Sequence, residues 1–179
     1  MPRELNIQSV KDRLPVRYRV NPYGKFFSIV LHLAICLWCL YVIVSPNVRT
    51  QDWSVFYRVL PYVVLFVSLD SLFRHLTGLY ALIFTPECLW FRYILRPSIA
   101  VEYDKILSME LRRMISYYMF LTFNDRNGSK RIIKTPASFP RMIEIMYNIA
   151  DIAPQLVMND ELNKMIEVIR KYKASQEQA

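Results

Sequence analysis

The stretch FFSIVLHLAICLWCLYVIVS, residues 26–45, places the strongest constraint on what this chain can fold into. It contains no charged residue, no proline and no glycine. At a rise of about 1.5 Å per residue, a helix of this length spans roughly 30 Å, which is the thickness of the hydrocarbon core of a bilayer. A second apolar stretch runs from about residue 53 to residue 73, after Pro46 and Asn47 interrupt the first. The pattern predicts a transmembrane hairpin.

A basic flank precedes the hairpin. It carries six cationic side chains within residues 1–25, opposed only by Glu4 and Asp12, in a chain of net charge +8. Under the positive-inside rule, this flank and the cationic start of the segment after the second helix predict that both termini are cytoplasmic, at the cell inner membrane. We expect Arg13, Arg17, Arg19 and Lys25 to contact anionic lipid. The length of this flank disfavours the alternative of a signal peptide, and we expect no nucleic-acid partner.

A few polar side chains fall within the two apolar stretches, namely His32, Arg58, Asp70 and Arg74. An ionisable residue inside a membrane is a functional candidate, so His32, Arg58 and Asp70 could line a polar path in an oligomer. The favoured interpretation is that Asp70 marks the inner boundary of the membrane. With Trp53 at the outer boundary, Asp70 lies roughly 25 Å across the bilayer, and Arg74 at i+4 is placed to pair with it.

One face of the first helix carries His32, Cys36 and Cys39, at spacings of four and three residues. A metal or redox site is one interpretation, because CLWC is a C-x-x-C pattern. The favoured interpretation is a helix–helix contact in which cysteine acts as a small apolar side chain and histidine as a polar contact.

After Gly78 the pattern changes to short, strand-like segments linked by turns. In the segment 116–123, Met119, Leu121 and Phe123 alternate with polar and aromatic residues, and Asn127–Gly128 is a strong hairpin signal. The strands are predicted at 79–85, 88–95, 98–103, 105–113, 116–123 and 130–135. We expect an antiparallel meander.

Two amphipathic helices follow the strands. The first is predicted to be capped by Ser138, with the polar residues Glu144 and Asn148 on its outer side. The second is predicted over residues 160–173, with Asn159 as its cap. The predicted organisation is a basic N-terminal segment (1–25), a transmembrane hairpin (26–76), a cytoplasmic α+β domain (77–153), and a C-terminal helix and tail (154–179).

Four stretches carry a resemblance to a known family: LIFTPECLWFR, VEYDKILSMELRR, LTFNDRNGSKRIIKTP and SFPRMIEIMYNIAD. Thr85 and Leu89 match its opening strand pair, and Asp104–Ile106 with Met109 match a strand in the middle of its domain. The chain resembles, over roughly residues 26–153, the bacterial pleckstrin-homology-like family of small membrane proteins. The resemblance implies an antiparallel open barrel or sandwich closed by a helix. The helix after Pro154 lies outside the pattern and is expected to be an added interaction element.

The sequence predicts a protein without catalytic, metal or cofactor sites. With three glycines, it has no phosphate-binding glycine loop, and its two histidines lie at or in the membrane. The densest basic group of the folded part is Arg126, Lys130, Arg131 and Lys134. It is interpreted as a contact for an anionic ligand or lipid, or as a solvated strand edge protected by its charges, and the second interpretation is favoured.

The function expected from these features is that of a membrane-anchored scaffold, not an enzyme. Such a module would dock a partner protein or assemble with copies of itself at the cytoplasmic face of the membrane. The alternatives are an oligomeric component of transport or signalling that uses its intramembrane polar residues, a sensor of anionic lipid headgroups, and an unrecognised enzyme acting on lipids at the interface.

Overall fold

The structure is a computed structural model that describes residues 9–45, 54–125 and 127–177. The chain divides into two compact units. The first, the sheet unit, contains the described residues of 9–18, 81–92 and 98–177. The second, the hairpin unit, contains those of 19–80 and 93–97. Trp53 and Arg126, which the sequence predictions include, lie outside the described residues.

The hairpin unit is built on two long helices, α1 (Pro22–Val44) and α2 (Val55–Thr77), which pack against each other. Both are long and apolar enough to cross a membrane. Helix α1 starts earlier than predicted, because Pro22 occupies its first turn and the Asn21 side chain accepts a 3.0 Å hydrogen bond from the Tyr23 amide. Helix α2 ends at Gly78, whose amide donates to the Arg74 carbonyl.

The strands form two four-stranded sheets. The first sheet has the order β1 (Val16–Arg19), β2 (Leu79–Phe84), β3 (Cys88–Tyr93) and β4 (Ile99–Glu102). The second has the order β7 (Lys130–Pro136), β6 (Tyr117–Asn124), β5 (Ile106–Arg113) and β8 (Val157–Met158). Helix α3 (Met142–Ile152) follows β7, and helix α4 (Asp160–Glu177) follows β8. The described chain is therefore α+β with two apolar N-terminal helices, and the sheets do not close into a barrel.

The two apolar helices interrupt the first sheet along the chain. Strands β1 and β2 are neighbours in that sheet, although residues 20–78 separate them along the chain. The sequence prediction missed β1, because its basic side chains suggested a membrane-facing flank. It also missed β8, whose two residues pair in parallel with Ser108 and Met109 of β5. Both omissions come from segments too short to show an alternating pattern.

The core of the sheet unit lies on the inner face of the second sheet. In β6, Met119, Leu121 and Phe123 are buried, whereas the alternating positions are only partly buried, which confirms the predicted alternation. The predicted turn also forms, with Gly128 at a positive φ of 74° and its amide 2.8 Å from the Asp125 carbonyl.

The predicted start of α3 is wrong. The chain forms turns through residues 137–141, and the helix begins at Met142 after Arg141, which adopts a left-handed conformation with φ of 57°. Ser138 therefore lies too far upstream to cap the helix. The predicted cap of the last helix differs as well, because the Asn159 side chain pairs with both the amide and the carbonyl of Leu111, at 3.2 and 2.8 Å.

The last helix packs one of its faces within the sheet unit. The buried residues of α4 are Leu162, Ile166 and Ile169, which recur at helical spacing on one face, whereas Val168 on another face is exposed. These three apolar side chains are thus covered within the sheet unit, and the expected role of this helix as an added interaction element stays a prediction for its exposed faces.

Thr135 in β7 is the one buried side chain of the described residues whose polar atom lacks a hydrogen-bond partner. A buried unpaired hydroxyl costs free energy, and valine has nearly the same shape without it. Thr135→Val is expected to raise the free energy of unfolding of the full chain by about 1 kcal/mol in chemical denaturation in detergent. Thr122→Val, on the partly exposed face of β6, is the control and should change it by less than about 0.5 kcal/mol. A loss of stability in Thr135→Val would contradict the assignment.

Candidate functional site

The outer face of the second sheet carries aromatic rings beneath cationic side chains. We call the face formed by Arg112, Tyr118, Phe120, Ile132 and Lys134 the aromatic-cationic face. The Lys134 ammonium lies 4.0 Å from the centroid of the Tyr118 ring, and the Arg112 guanidinium lies 5.5 Å from that of Phe120. Ile132 is exposed beside them. Cation–π contacts of this kind hold a cation over a ring that is itself still accessible.

Strand register produces this face. Arg112 stands opposite Tyr118, Phe120 opposite Lys134, and Thr122 opposite Ile132. Because side chains alternate along a strand, these residues all point away from the core that their neighbours fill. The sequence predicted which residues of β6 face outwards, but the grouping of Arg112 with Lys134 appears only when three strands are paired.

The predicted basic group does not form one patch in the described chain. Lys134 belongs to the aromatic-cationic face, and Lys130 is an exposed residue of β7 opposite Asn124. Arg131 lies between them in β7, so its side chain points to the other side of the sheet, where it pairs with Asp125 at 2.9 Å. Arg126 lies outside the described residues. On the outer face, β5 contributes a further cation, Arg112, on the other side of β6 from Lys134.

The predicted membrane-surface residues have different surroundings. Arg13 is the last residue of a short 3-10 turn, and Arg17 and Arg19 are exposed on β1. Lys25 is buried, at 8% exposure. Its ammonium lies 3.5 Å from the Gly78 carbonyl and 5.4 Å from the centre of the Tyr80 ring. Lys25 therefore joins the start of α1 to the residues that follow α2, a contact between segments about fifty residues apart that local sequence patterns do not indicate.

A polar cluster joins the two apolar helices. The Ser28 hydroxyl lies 2.9 Å from Nε2 of His75, and Nδ1 of His32 lies 2.6 Å from the Ser28 carbonyl. The two imidazole rings are 5.5 Å apart. The sequence reasoning singled out His32 but missed His75 as its neighbour, because contacts between two helices depend on their rotation about their axes.

The other polar candidates within the two helices make their contacts outside this cluster. Arg74 Nε is 2.8 Å from Asp70 Oδ2, as the i,i+4 spacing predicts, and both side chains are exposed. Arg58 is exposed near the start of α2. Cys36 and Cys39 are buried free thiols. No group of three or more histidine, cysteine or acidic side chains suited to a metal ion occurs among the described residues.

The N-terminal segment closes over the polar side of α3. The Val10 amide donates a 3.1 Å hydrogen bond to Oδ1 of Asn148, and the Tyr18 hydroxyl donates a 3.1 Å bond to Glu144. Tyr18 also packs edge-on against the Phe84 ring. Glu144 and Asn148 are buried, so their predicted solvent exposure is wrong. We call residues 9–19 the N-terminal strap. Because the strap covers the polar face of α3, that face has a structural role. The aromatic-cationic face is exposed and is therefore the candidate binding site.

Ionisation of Tyr103 is expected to lower the stability of the sheet unit at alkaline pH. Its hydroxyl donates a 2.8 Å hydrogen bond to the Thr85 carbonyl, and burial, with a smaller contribution from Cys88, raises its pKa to about 12. A phenol with a raised pKa stabilises the fold fully below the ordinary pKa of 10, and this stabilisation is lost as the pH rises towards 12. We expect thermal stability to fall across this range, with Tyr103 contributing up to about 2 kcal/mol.

Tyr103→Phe provides the comparison for this pH dependence, because phenylalanine keeps the ring and cannot ionise. The melting temperature of the full chain in detergent should fall less steeply between pH 10 and pH 12 in the variant than in the parent protein. Equal slopes would show that Tyr103 ionises with the same pKa in both the folded and the unfolded chain.

Comparison with known proteins gives no match: no protein-family model, no curated protein and no solved structure is significantly similar to this chain.

Proposed function

We propose that this protein is a membrane-anchored, non-catalytic docking module. In this proposal α1 and α2 hold the chain in the cell inner membrane with both termini cytoplasmic, and the sheet unit adopts a pleckstrin-homology-like fold. The aromatic-cationic face binds a partner protein through a segment that carries acidic and apolar side chains. The observation that carries the proposal is the exposed pairing of cations and aromatic rings on three adjacent strands.

The anchoring is supported by the surfaces of the two helices. Large apolar side chains such as Phe26, Trp38, Phe66 and Phe73 are exposed along them, which is costly in water and favourable in lipid. The contacts of the N-terminal strap add a topological argument. Val10 bonds to Asn148, so the segments before α1 and after α2 must share one side of a membrane. An insertion that carries only one of the two helices across is incompatible with this bond.

The pleckstrin-homology-like assignment is supported by strand order. A first sheet of four consecutive strands is followed by β5, β6 and β7, and then by helix α3. The resemblance implies antiparallel strands closed by a helix, and β2 to β7 followed by α3 agree with that order, whereas β1 before the hairpin lies outside it. Strand β8 and helix α4 are additions to it. In this arrangement, the membrane hairpin occupies the connection between the first two strands.

Charge complementarity determines which partner the face fits. Lys134 presents positive charge beside Ile132 and Phe120, whereas the charge of Arg112 is offset by its pairing with Glu110. A carboxylate-bearing segment with apolar side chains would therefore fit Lys134 and the apolar residues around it. A second copy of the chain docking through the same face would bring like charges together, which is unfavourable. The proposal therefore favours a different protein over self-assembly at this face. Aromatic and arginine side chains are also those that contribute most to binding energy in interfaces.

Site-specific photo-crosslinking tests the proposal. A benzophenone side chain at position 120 of the full chain, irradiated in native membranes, should give one dominant adduct with another protein. The combination Arg112→Glu with Lys134→Glu should reduce the adduct at least tenfold, because it reverses the charge of the face. The same probe at position 168, an exposed site on α4, is the control. An adduct unaffected by charge reversal, or one between two copies of this chain, would contradict the proposed partner.

The cluster of Ser28, His32 and His75 favours a second candidate function, in transport or signalling across the bilayer. Hydrogen-bonded polar side chains between membrane helices are typical of such pathways. Proton flux into liposomes that contain the full chain should then fall at least tenfold in His75→Ala. Asp70→Asn serves as the comparison, because Asp70 lies outside the cluster. The absence of any flux above that of empty liposomes would exclude this function.

A further inference from the structure

The turn between β5 and β6 exposes two adjacent apolar side chains. Met114 and Ile115 form its tip, and the Met114 amide donates a 2.9 Å hydrogen bond to the Ser116 carbonyl, which closes the turn. Ile115 is fully exposed, and Met114 is 59% exposed. We call these two residues the apolar tip. Turns usually carry polar residues, whereas this one exposes a methionine and an isoleucine to water. Exposed apolar side chains of this kind lower solubility and often mark a binding surface.

Cationic side chains surround the apolar tip. The Lys134 ammonium lies 3.4 Å from the Met114 sulfur, and Arg113 at the end of β5 lies over the ring of Tyr117, 5.9 Å from its centroid. Arg112 is also close in sequence, but its guanidinium is paired with Glu110 at 2.5 Å, which offsets its charge. Lys134, Arg113 and Tyr117 thus form a basic and aromatic collar, which we call the tip collar.

The shape of this feature distinguishes a lipid from a protein ligand. The apolar tip is convex, and Ile115 has no shielding from its own protein. To bury it, a protein partner would need a matching pocket, whereas the interface of a bilayer accommodates a protruding apolar side chain without one. The tip collar has the composition of an interfacial belt, because lysine and arginine bind lipid phosphates and tyrosine prefers the headgroup region.

We propose that the turn Met114–Ser116 is a membrane-insertion tip, in which Met114 and Ile115 enter an anionic lipid surface and Arg113 and Lys134 bind its phosphates. The site differs from the partner-docking surface in ligand and in central residues, although Lys134 takes part in both. Each cation near an anionic surface strengthens binding by roughly fivefold. Because this attraction is screened by ions, insertion weakens as the salt concentration rises.

The experiment uses the full chain with its three cysteines replaced by alanine and one environment-sensitive fluorophore on Ser116→Cys. This site lies in the turn and leaves the apolar tip intact. A fluorophore on Ser129→Cys, in the turn between β6 and β7 at the opposite end of β6, is the matched control. The protein is reconstituted alone into phosphatidylcholine vesicles or into an equal mixture of phosphatidylcholine and phosphatidylglycerol. Lipids carrying a nitroxide quencher are placed in the same vesicles or in added protein-free vesicles of the same composition.

The proposal predicts a blue-shifted fluorophore at position 116, quenched by nitroxide lipid in the anionic mixture and at least fivefold less in phosphatidylcholine. Quenching from the same vesicle identifies insertion into the anchoring bilayer, and quenching from added vesicles identifies a second membrane. Either result supports the proposal, and position 129 should remain unquenched in both. Met114→Ser with Ile115→Ser should abolish the quenching, and Arg113→Gln with Lys134→Gln should reduce it at least fivefold.

Three results would overturn the insertion tip. The first is a fluorophore at position 116 that stays in water in both lipid mixtures. The second is quenching that the serine variants leave unchanged. The third is shielding of position 116 that appears only when extracted membrane proteins are added, which would assign the tip to a protein ligand. The vesicles contain no partner protein, so a negative quenching result does not affect the crosslinking test of the docking face. A negative crosslinking result likewise does not affect the quenching test.

Discussion

Replacing Asn148 by alanine is expected to lower the free energy of unfolding of the full chain by about 3 kcal/mol. The Asn148 amide is almost completely buried and bonds both to the strap and to its own helix. Its oxygen accepts the hydrogen bond from the Val10 amide, and its nitrogen donates to the Glu144 carbonyl at 2.9 Å. Alanine leaves the buried Val10 amide without that acceptor and also creates a cavity. Chemical denaturation in detergent micelles measures the loss.

The same substitution should release the N-terminal strap before the rest of the sheet unit unfolds. Trypsin should therefore cleave after Arg13 or Arg17 much faster in Asn148→Ala than in the parent protein. Lys11→Ala is the control within the strap, because the Lys11–Asp151 pair is solvent-exposed at 3.4 Å and should contribute less than about 1 kcal/mol. Equal cleavage rates in the Asn148 variant and the parent would show that the strap is held by other contacts.

Leu162→Ala is expected to have an effect of similar size, about 3 kcal/mol of lost stability. Leu162 is completely buried in α4, and truncation removes three carbons from the core of the sheet unit. The alternative, in which α4 is a free element awaiting a partner, predicts almost no effect on an isolated protein.

Val168→Ala is the matched control for Leu162→Ala. It changes an exposed side chain of the same helix and should alter the free energy of unfolding by no more than about 0.5 kcal/mol. Comparable losses in the two variants would mean that the helix contributes through its propensity instead of through its packed face. Denaturant midpoints of the two full-length variants, measured side by side, decide between these explanations.

Local patterns in the sequence predicted most of the sheet. Strands β2 to β7 begin and end close to their predicted positions, because alternation in β6 and the turn at Gly128 are properties of neighbouring residues. Length and composition predicted two long apolar helices, and both occur in the structure.

The predictions failed where distant segments meet. Glu144 and Asn148 look like surface residues of an amphipathic helix until the strap, which lies more than a hundred residues earlier, is placed over them. The aromatic-cationic face has the same character, because Arg112 and Lys134 come from strands on either side of β6. No local pattern in the sequence indicates that the residues of the strap pair with the polar residues of α3.

If α1 and α2 cross a membrane as proposed, their placement between β1 and β2 has a consequence for biosynthesis. The ribosome completes β1 first, but its neighbour β2 emerges only after both apolar helices have been synthesised. The segment that bonds to Asn148 waits even longer, since α3 follows seven strands. A chain in which one helix fails to insert would leave β1 on the opposite side of the membrane from every later strand. Under the proposed anchoring, completion of the sheet unit therefore requires that both helices cross the membrane, and a mis-inserted chain would expose an unpaired edge to quality-control proteases.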